Sequence, residues 1–486
     1  MKRKFSLLLA ALMVFAGIAV ACHPTDQPGD GTGGTKPPVA ESGDGRLNPD
    51  LEIKDLDGYC FAVFGTGVNE GGDWNVHDLL AAEGAEGANA IDEGLYKRNM
   101  FLEDTYNFSF TLTEAGTRFC RDEAYTLLMA GDQAFDDFCL NGFEGPALAA
   151  EGMFLDMNEL PYLDFEKDYW TPSLLQPLTV NGRLFTAVGD ISIVYKQGVE
   201  AFYFNKTIAA DKKIPSIYQL VYDDQWTYEK LFSFAAIGTT DLNGDTKIDA
   251  NDCYGIQAQI FLPMVLFQGS GEQVITKDDN DEFVIGCDSD RAVNVIQTVT
   301  DYLKNQSEDV HTSAWQEMLT RFNEGKALFY NECMLHVETM RGYDVDFGII
   351  PAPKYNEEQD GYHHLVTPGE MYMHSLPFDA EDPDRSAYIL EVTAVASKFY
   401  VTPAYYDVSL KNKYTRDEES KDMLDIIFST VRLDAGNVYG FGRLYDYVTS
   451  CIRDGGNIAS IIGALKKSTE TAIQSTLDQF ESNYYS

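Results

Sequence analysis

Strand-like and helix-like segments alternate along this chain, and the alternation constrains its fold more than any other feature. Short apolar runs are separated by longer amphipathic stretches and by turns that contain glycine. The pattern predicts strands over 59–64, 108–112 and 135–140 and helices over 90–106 and 122–130. Such alternation is typical of an α/β protein with a mainly parallel sheet, in which ligands bind at the carboxyl ends of the strands.

The middle of the chain repeats this alternation. Strands are predicted over 184–188, 201–204, 327–330 and 347–350, and amphipathic helices over 292–303 and 316–323. After residue 379 the pattern is mainly helical. The chain has 486 residues, which is enough for about three structural units.

The charge balance restricts the class of partner. The chain carries 36 Lys and Arg against 77 Asp and Glu, which gives a formal net charge of −41. A surface this acidic repels phosphate backbones and anionic lipid headgroups. We therefore expect no nucleic-acid partner, and ligands that are neutral or cationic.

The first 22 residues have the organisation of an export signal. Basic residues precede an uncharged apolar run, which ends at Ala21 and Cys22. The run is short for a membrane-spanning helix, and its end resembles the cleavage box of a bacterial lipoprotein. We predict a lipoprotein signal peptide over 1–22, a lipid anchor on Cys22 and a location on the extracellular face of the cell membrane. The alternative is an ordinary signal peptide that ends near Ala21.

The segment that follows the signal is predicted to be a tether. Residues 23–46 are rich in Pro, Gly, Thr and Asp. Such a composition cannot bury apolar surface, so we expect a disordered linker between the anchor and the globular part.

Cysteine spacing argues against a disulfide framework or a zinc ribbon. Seven cysteines follow Cys22, at wide intervals and with no C-x-x-C pair. Some of them, such as Cys60 and Cys139, lie inside apolar strand-like runs. Buried free thiols are the expected state.

Five motifs, in order, resemble those of one known family. They occupy 149–158, 180–189, the pair 202–206 and 226–229, then 322–329 and 347–353. Together they resemble the small-residue helix, the Asn-Gly-Lys strand, the Tyr-Asn-Lys and Trp-Thr-x-Glu pair, the Gly-Lys-Ala helix end and the Gly-x-x-Pro-x-Pro strand of maltose-binding-type extracellular solute-binding proteins of ABC importers. Where that family often has a proline after the second motif, this chain has Val188, Gly189 and Asp190.

The resemblance implies an architecture and a function. The implied architecture is the type II periplasmic-binding-protein-like fold, with two α/β lobes, each a mixed sheet flanked by helices, and a ligand cleft between them. By motif position, lobe 1 comprises 47–190 plus 328–370 and lobe 2 comprises 191–327 plus 371–486, with crossings near Asp190, Leu328 and Gly369. The implied function is capture of a sugar or oligosaccharide by a monomer that closes about a hinge and delivers its ligand to the permease subunits of an ABC transporter, with no catalysis.

Candidate ligand contacts are the aromatic, carboxylate and amide side chains at strand ends and crossings. Aromatic rings stack on the C–H faces of sugars, while carboxylates and amides bond to hydroxyl groups. The candidates are Trp74, Asn141, Glu144, Asp190, Tyr195, Phe267, Gln268, Trp315, Glu332, His336, Glu370 and Tyr372. For each of them the alternative is a packed aromatic or a solvated polar group. Trp226, at the start of a helix, is interpreted as structural.

The segment 241–252 has the spacing of a calcium-binding loop. Oxygen ligands fall at loop positions 1, 3, 5, 7, 9 and 12, which are Asp241, Asn243, Asp245, the carbonyl of Lys247, Asp249 and Asp252. Position 6, where glycine is usual because the turn needs a positive φ, is Thr246. We predict one structural Ca²⁺ at the periphery of the second lobe; the alternative is an acidic surface turn.

Two rival functions remain. A calcium-dependent extracellular scaffold or adhesion lipoprotein is suggested by the single calcium-type loop. A glycoside-active enzyme would need a pair of carboxylates, and in a chain this acidic such pairs arise by chance. The sequence contains no Gly-x-Ser-x-Gly elbow, no His-Glu-x-x-His and no P-loop.

Overall fold

A computed structural model describes residues 47–48, 50–66, 90–340, 342–410 and 418–484. The predicted signal peptide with Cys22, the tether 23–46 and the candidate Trp74 lie outside these residues. The strands are β1 (Tyr59–Gly65), β2 (Phe108–Glu114), β3 (Asp137–Asn141), β4 (Glu200–Asn205), β5 (Tyr254–Ala258), β6 (Ile275–Lys277), β7 (Phe283–Ile285), β8 (Val310–Thr312), β9 (Ala327–Cys333), β10 (Phe347–Ile350), β11 (His364–Leu365), β12 (Tyr372–Ser375) and β13 (Val431–Arg432).

Helices cover both sheets. They are α1 (Ala90–Tyr106), α2 (Arg121–Ala130), α3 (Glu144–Ala150), α4 (Pro172–Leu175), α5 (Val194–Gln197), α6 (Lys206–Asp211), α7 (Ile217–Tyr222), α8 (Tyr228–Gly238), α9 (Leu262–Gly269), α10 (Asp290–Asn305), α11 (Trp315–Asn323), α12 (Val337–Met340), α13 (Pro383–Leu410), α14 (Glu418–Ser429), α15 (Ala435–Tyr439), α16 (Leu444–Asp454) and α17 (Ile458–Tyr484). Among the described residues, no helix is both long enough and apolar enough to span a membrane.

The first lobe is built on a four-stranded sheet in the order β12-β3-β1-β2. Strand β1 runs parallel to β2 and β3, and β12 is antiparallel to β3. The long helix α13 packs along α1 on this lobe. The carboxyl ends of three parallel strands therefore meet at one edge of the sheet.

The second lobe is built on a five-stranded sheet in the order β10-β4-β9-β5-β8. Strand β4 is antiparallel to β9 and β10, while β5 is parallel to β8 and β9. Its central strands are apolar and buried on both faces, because helices cover each side. Helix α10 is capped by Ser289, whose hydroxyl accepts a hydrogen bond from the backbone N–H of Ala292 (3.0 Å).

The interior consists of two clusters of buried apolar side chains, and each cluster includes residues of both sheets. Trp226 is fully buried in one of them and donates its indole N–H to the carbonyl of Pro351 at 2.9 Å. Its structural interpretation is therefore correct. Cys120, Cys253, Cys287, Cys333 and Cys451 are buried free thiols.

The strand pairing corrects the predicted lobe boundaries. Strands β9 and β10, within 328–370, belong to the second sheet, and β12, within 371–486, belongs to the first. The predicted crossing at Leu328 lies in the middle of β9. Helix α13 then joins the first lobe, and α14 packs on β10 of the second. Strand pairing is non-local, so the order of motifs could not show which sheet each strand joins.

A second correction concerns the strand predicted over 184–188. This segment forms only an isolated bridge, between Ala187 and His374. The strand predicted over 135–140 begins at Asp137, because Asp136 turns its side chain to the N–H of Ala62 (2.8 Å). The remaining predicted strands and helices are present, with ends shifted by a few residues.

Candidate functional site

The two segments that connect the sheets meet side by side. The chain leaves the first lobe before β4 and returns to it before β12, and the two connections are bridged at Val199 and Val366. Gly198 leaves no room for a side chain, because an added Cβ would collide with Glu370. This contact joins the amino end of β4 to the loop that carries Glu370, at the edge where the strands of both sheets present their ends.

Three glutamates gather at this edge. Glu200 begins β4, Glu332 lies near the end of β9, and Glu370 lies in the returning connection. Glu200 accepts a hydrogen bond from Asn331 (3.1 Å). Burial and the neighbouring Glu332 raise the pKa of Glu200 well above its usual value. Carboxylates of the second lobe and of the returning connection therefore lie within electrostatic reach of one another.

The partners of the other two glutamates come from different lobes. Arg118, in the loop after β2, donates to Glu370 Oε1 at 2.9 Å. Burial raises the pKa of Glu370 despite this arginine. Glu332 accepts from the amide of Gln259, in the loop after β5, at 2.5 Å. Negative charge at this edge exceeds the positive charge that these contacts supply.

Aromatic rings lie next to these polar groups. Trp315, half-buried, stacks on His336 with ring centroids 4.7 Å apart and an interplanar angle of 27°. Phe261 follows Gln259 by two residues and is 43% exposed, while Phe119 follows Arg118 and is 64% exposed. Because they follow the polar groups of this edge in the chain, these rings are candidate stacking surfaces for the apolar face of a ligand.

Asn141 and Glu144 reach the same edge of the first sheet but are engaged with the protein. The amide of Asn141 donates to Glu144 at 2.7 Å and to the carbonyl of Arg118 at 3.1 Å. Glu144 also accepts from the backbone N–H of Arg121 (3.0 Å), where α2 begins. These two side chains hold the loops after β2 and β3 together, which positions Arg118. Tyr372 is buried and pairs in register with Asn141.

Asp190 and Tyr195 form a closed network in the first connection. Lys196 binds Asp190 at 2.8 Å and donates to the hydroxyl of Tyr195 at 2.5 Å. Thr171 donates to the same hydroxyl at 3.0 Å. Burial opposes the charge of Lys196, yet Tyr195 and Asp190 raise its pKa above the usual value. This network fixes the connection and leaves these groups little capacity to bind a ligand.

Phe267 and Gln268 lie inside the second lobe. Both are buried in α9, and Phe267 is part of the apolar core. The amide of Gln268 donates to the hydroxyl of Tyr445 at 3.3 Å. The apolar run that ends at these residues is a short buried helix, so Phe267 offers no surface to a ligand.

The structure therefore brings together one part of the predicted set. Trp315, Glu332, His336 and Glu370 share the edge between the lobes. Sequence reasoning missed five residues at this edge, namely Arg118, Phe119, Glu200, Gln259 and Phe261. One signal could have indicated Glu200, since it is an acidic residue at the start of an otherwise apolar strand.

The loop 241–252 is a turn in which side-chain carboxylates accept hydrogen bonds from backbone N–H groups. Asp241 accepts hydrogen bonds from the N–H groups of Gly244 (2.6 Å) and Thr246 (2.8 Å). Thr246 has a positive φ of 69°. Asp252 is fully buried, and the N–H groups of Asp249 and Leu242 lower its pKa.

The same loop lies at the opposite end of β5 from the candidate site. It precedes β5, whereas Gln259 follows it. Arg321 of α11 donates to the carbonyl of Asp252 at 3.0 Å and so ties the loop to the lobe. A cation in this loop would not contact a ligand held between the lobes.

Comparison with known proteins identifies a class of structure. No protein-family model matches the sequence, and no curated protein is significantly similar to it. A cyclo/maltodextrin-binding protein crystallised with maltotetraose is similar, with a TM-score of 0.55 and 13% identity, over 89% of this chain and 98% of that chain. The GacH receptor of Streptomyces glaucescens GLA.O, solved unliganded and with acarbose and a homologue, gives a TM-score of 0.49 and 12% identity, over 89% of this chain and 99% of that chain.

The first of these similarities and the two sheets confirm the predicted fold class. The chain has a two-lobed α/β fold, and each lobe is a mixed sheet flanked by helices. It is the fold of the maltodextrin-binding protein to which the chain is similar.

Proposed function

We propose that this protein captures a neutral carbohydrate, a sugar or oligosaccharide, between its two lobes. The observation that carries the proposal is the group of buried carboxylates and half-exposed rings at the edge shared by the two sheets. Glu332 and Glu370 supply carboxylate oxygens, which are suitable acceptors for the hydroxyl groups of a sugar. Trp315 and Phe261 offer flat apolar faces for the C–H side of a sugar ring. Similarity in fold to a protein crystallised with maltotetraose supports this class of ligand.

Isothermal titration calorimetry with maltotetraose and a panel of other neutral oligosaccharides tests the proposal. Replacing Trp315 by alanine should weaken binding by about 1–3 kcal/mol if the indole stacks on sugar. Trp74→Ala should do the same if that predicted contact is real. Tyr447→Ala, which removes a ring that is 46% exposed on α16, is the matched control and should bind normally. Unchanged affinity in both tryptophan variants, or tight binding of an anionic ligand instead, would contradict the proposal.

The proposed function includes delivery and excludes chemistry. We infer that the loaded monomer presents the sugar to the permease subunits of an ABC transporter, and that hinge closure around the ligand marks the loaded state. Chromatography of the ligand after incubation should recover it intact. Release of a shorter sugar would favour the glycoside-active alternative.

Lipid anchoring is part of the same proposal. A lipid on Cys22 and the tether 23–46 would hold the two lobes at the extracellular face of the membrane. Cys22→Ala should release a folded protein into the medium, as judged by fractionation and by an unchanged melting temperature. Membrane retention of the variant would contradict the anchor.

We propose one structural Ca²⁺ in the loop 241–252. The ligand spacing and the backbone turns around Asp241 and Thr246 support it. The cation would stabilise the second lobe without touching the sugar. Millimolar calcium should raise the melting temperature of the wild type relative to chelator, and Asp245→Ala should abolish that shift. An equal shift in both proteins would contradict the calcium site and indicate that the loop is an acidic surface turn.

A further inference from the structure

A second set of donor atoms lies at the end of β9, and it shares only Glu332 with the proposed carbohydrate contacts. Glu332, Cys333 and His336 each place a ligand atom within 4.8 Å of the others, and all three residues are buried. Within the part of the chain that the structure describes, this is the one group of three or more His, Cys, Asp or Glu side chains with that spacing.

The local fold explains why these donors converge. Strand β9 ends at Cys333 and a single turn of 3₁₀-helix follows over Met334–His336, which returns His336 to the strand end. The indole of Trp315 stacks on the imidazole and orients it. Glu332 turns back toward the backbone, and its Oε1 accepts from the N–H of Cys333 at 3.0 Å. The donors are therefore held by the backbone, by a ring and by a hydrogen bond.

The second carboxylate oxygen of Glu332 has an outer partner. Gln259 donates to Oε2 at 2.5 Å from the loop after β5. Outer partners of this kind orient the carboxylate ligands of metal ions in proteins. Tetrahedral ligands of zinc lie about 3.5 Å apart, given bonds of about 2.0–2.3 Å. The three donors lie within 4.8 Å of one another, so they must move closer together by up to about 1.3 Å to share one cation.

The donor chemistry selects the class of cation. One sulfur, one imidazole nitrogen and one carboxylate oxygen form a set that binds Zn²⁺ or Co²⁺, whereas Ca²⁺ and Mg²⁺ require oxygen ligands alone. Three protein ligands leave the fourth tetrahedral position to water or to an oxygen of another molecule. A divalent cation would also offset the excess of negative charge that Glu200 and Glu370 bring to this edge.

We propose that Glu332, Cys333 and His336 bind one zinc-type divalent cation at the edge between the two lobes. Binding replaces the thiol proton of Cys333 by the cation, so it releases a proton and weakens in acid. The site goes beyond carbohydrate capture, because it does not require a sugar.

Cobalt titration of the untagged protein tests the proposal, because Co²⁺ reports a thiolate ligand by charge-transfer absorption in the near ultraviolet. We expect one Co²⁺ per chain with this absorption, and displacement of Co²⁺ by Zn²⁺. Cys333→Ser should remove the absorption and weaken binding at least tenfold, and His336→Gln should weaken binding at least tenfold. The matched control is Cys253→Ser, which replaces another buried thiol of the second lobe beside an acidic residue. It should behave like the wild type.

Two results would overturn the metal site. One is the absence of charge-transfer absorption in a folded wild-type protein, and the other is its retention in Cys333→Ser with an unchanged melting temperature. Sugar titration of the same proteins, with chelator and with Zn²⁺, separates this proposal from carbohydrate capture. Sugar binding without metal binding would contradict only the metal site. Metal binding without sugar binding would contradict only the proposed carbohydrate capture.

Discussion

The two lobes bury polar groups in different ways. In the first lobe, Asp137 and His374 are fully buried and form an ion pair, with 2.6 Å between Oδ2 and Nδ1. The other oxygen of Asp137 accepts the N–H of Ser375 (3.0 Å). In the second lobe, Glu200 and Glu332 lie close together, and that proximity together with burial raises the pKa of Glu200. Buried charges with matched partners hold a lobe together, whereas buried carboxylates in excess mark a place that receives a ligand.

Breaking the ion pair of the first lobe should have the largest effect on stability. His374→Leu would leave Asp137 buried and without its partner, so we expect the free energy of unfolding to fall by about 3–5 kcal/mol in urea denaturation. The double variant Asp137→Asn with His374→Leu keeps the acceptor for Ser375 and should recover part of the loss. A loss below about 1 kcal/mol in the single variant would show that the pair is not a stabilising element.

A buried histidine of the second lobe, His364, should make the protein less stable in acid, which is the opposite of the effect expected for His374. Burial lowers the pKa of His364 to about 3, from an ordinary value of 6.5. Its Nε2 accepts the N–H of Ala352 (3.0 Å), which requires the neutral ring. Because the unfolded chain binds the proton more tightly, stability is full above the unfolded pKa and is lost as the pH falls. We expect a loss on the order of 2 kcal/mol between about pH 7 and pH 5.

His364→Gln tests this assignment, since it removes the titrating ring. Unfolding curves of the variant should depend less on pH across that range, although His363, whose pKa burial lowers to about 4, still contributes. For His374 the dependence of stability on pH has the opposite sign. Burial opposes its charge, yet Cys139 and Asp137 raise its pKa well above 6.5, so its contribution is present below the unfolded pKa and is lost as the pH rises. An equal pH dependence of stability in the wild type and in His364→Gln would contradict the assignment of the acid effect to His364.

A pair of isosteric substitutions sharpens the comparison between matched and excess carboxylates. Glu391, in the first lobe, accepts hydrogen bonds from Trp170 Nε1 (2.8 Å) and from the hydroxyl of Tyr169. Glu391→Gln places an amide N–H where a carboxylate oxygen accepted one of these hydrogen bonds. It should lower the free energy of unfolding by about 1–3 kcal/mol. Glu200→Gln removes a charge that its buried position disfavours and should raise the free energy of unfolding by about 1 kcal/mol near pH 8. Guanidinium denaturation measures both.

The sign for Glu200 follows from its raised pKa. The folded protein binds this proton more tightly than the unfolded chain, so ionisation costs stability as the pH rises through the folded pKa. The gain in Glu200→Gln should therefore shrink below about pH 4, where the wild-type side chain is protonated in both states. A gain that does not change with pH would assign the effect to packing instead of charge.

The smallest effect is expected in the loop 241–252, a third group of carboxylates, here bonded to backbone N–H groups. Thr246 has a φ of 69°, a conformation that glycine adopts without strain. Thr246→Gly should raise the melting temperature slightly, for a gain of about 0.5 kcal/mol. The matched change is Gly244→Ala, at a φ of 78° with open space around an added Cβ, which should lower it by about 1 kcal/mol. Equal signs for both substitutions would exclude backbone strain as the cause.

Most strands and helices could be predicted because their signals are local. The period of apolar residues is set by neighbours in sequence, which is why helix α10 and the structural role of Trp226 could be predicted. The candidate site was predictable in part for a related reason. Glu332 lies near the end of a strand and Glu370 precedes one, and strand ends of an α/β sheet share an edge.

Only the tertiary structure decided which strands pair and which charges are compensated. Strand β9 joins the second sheet and β12 the first through partners more than 70 residues away in sequence, and no local pattern encodes that choice. Asp190 and Glu332 look alike in the sequence as acidic residues near a crossing or a strand end. Lys196 neutralises Asp190, whereas other carboxylates surround Glu332. The role of a buried carboxylate depends on its neighbours in space, because desolvation makes its free energy depend on every charge within a few ångströms.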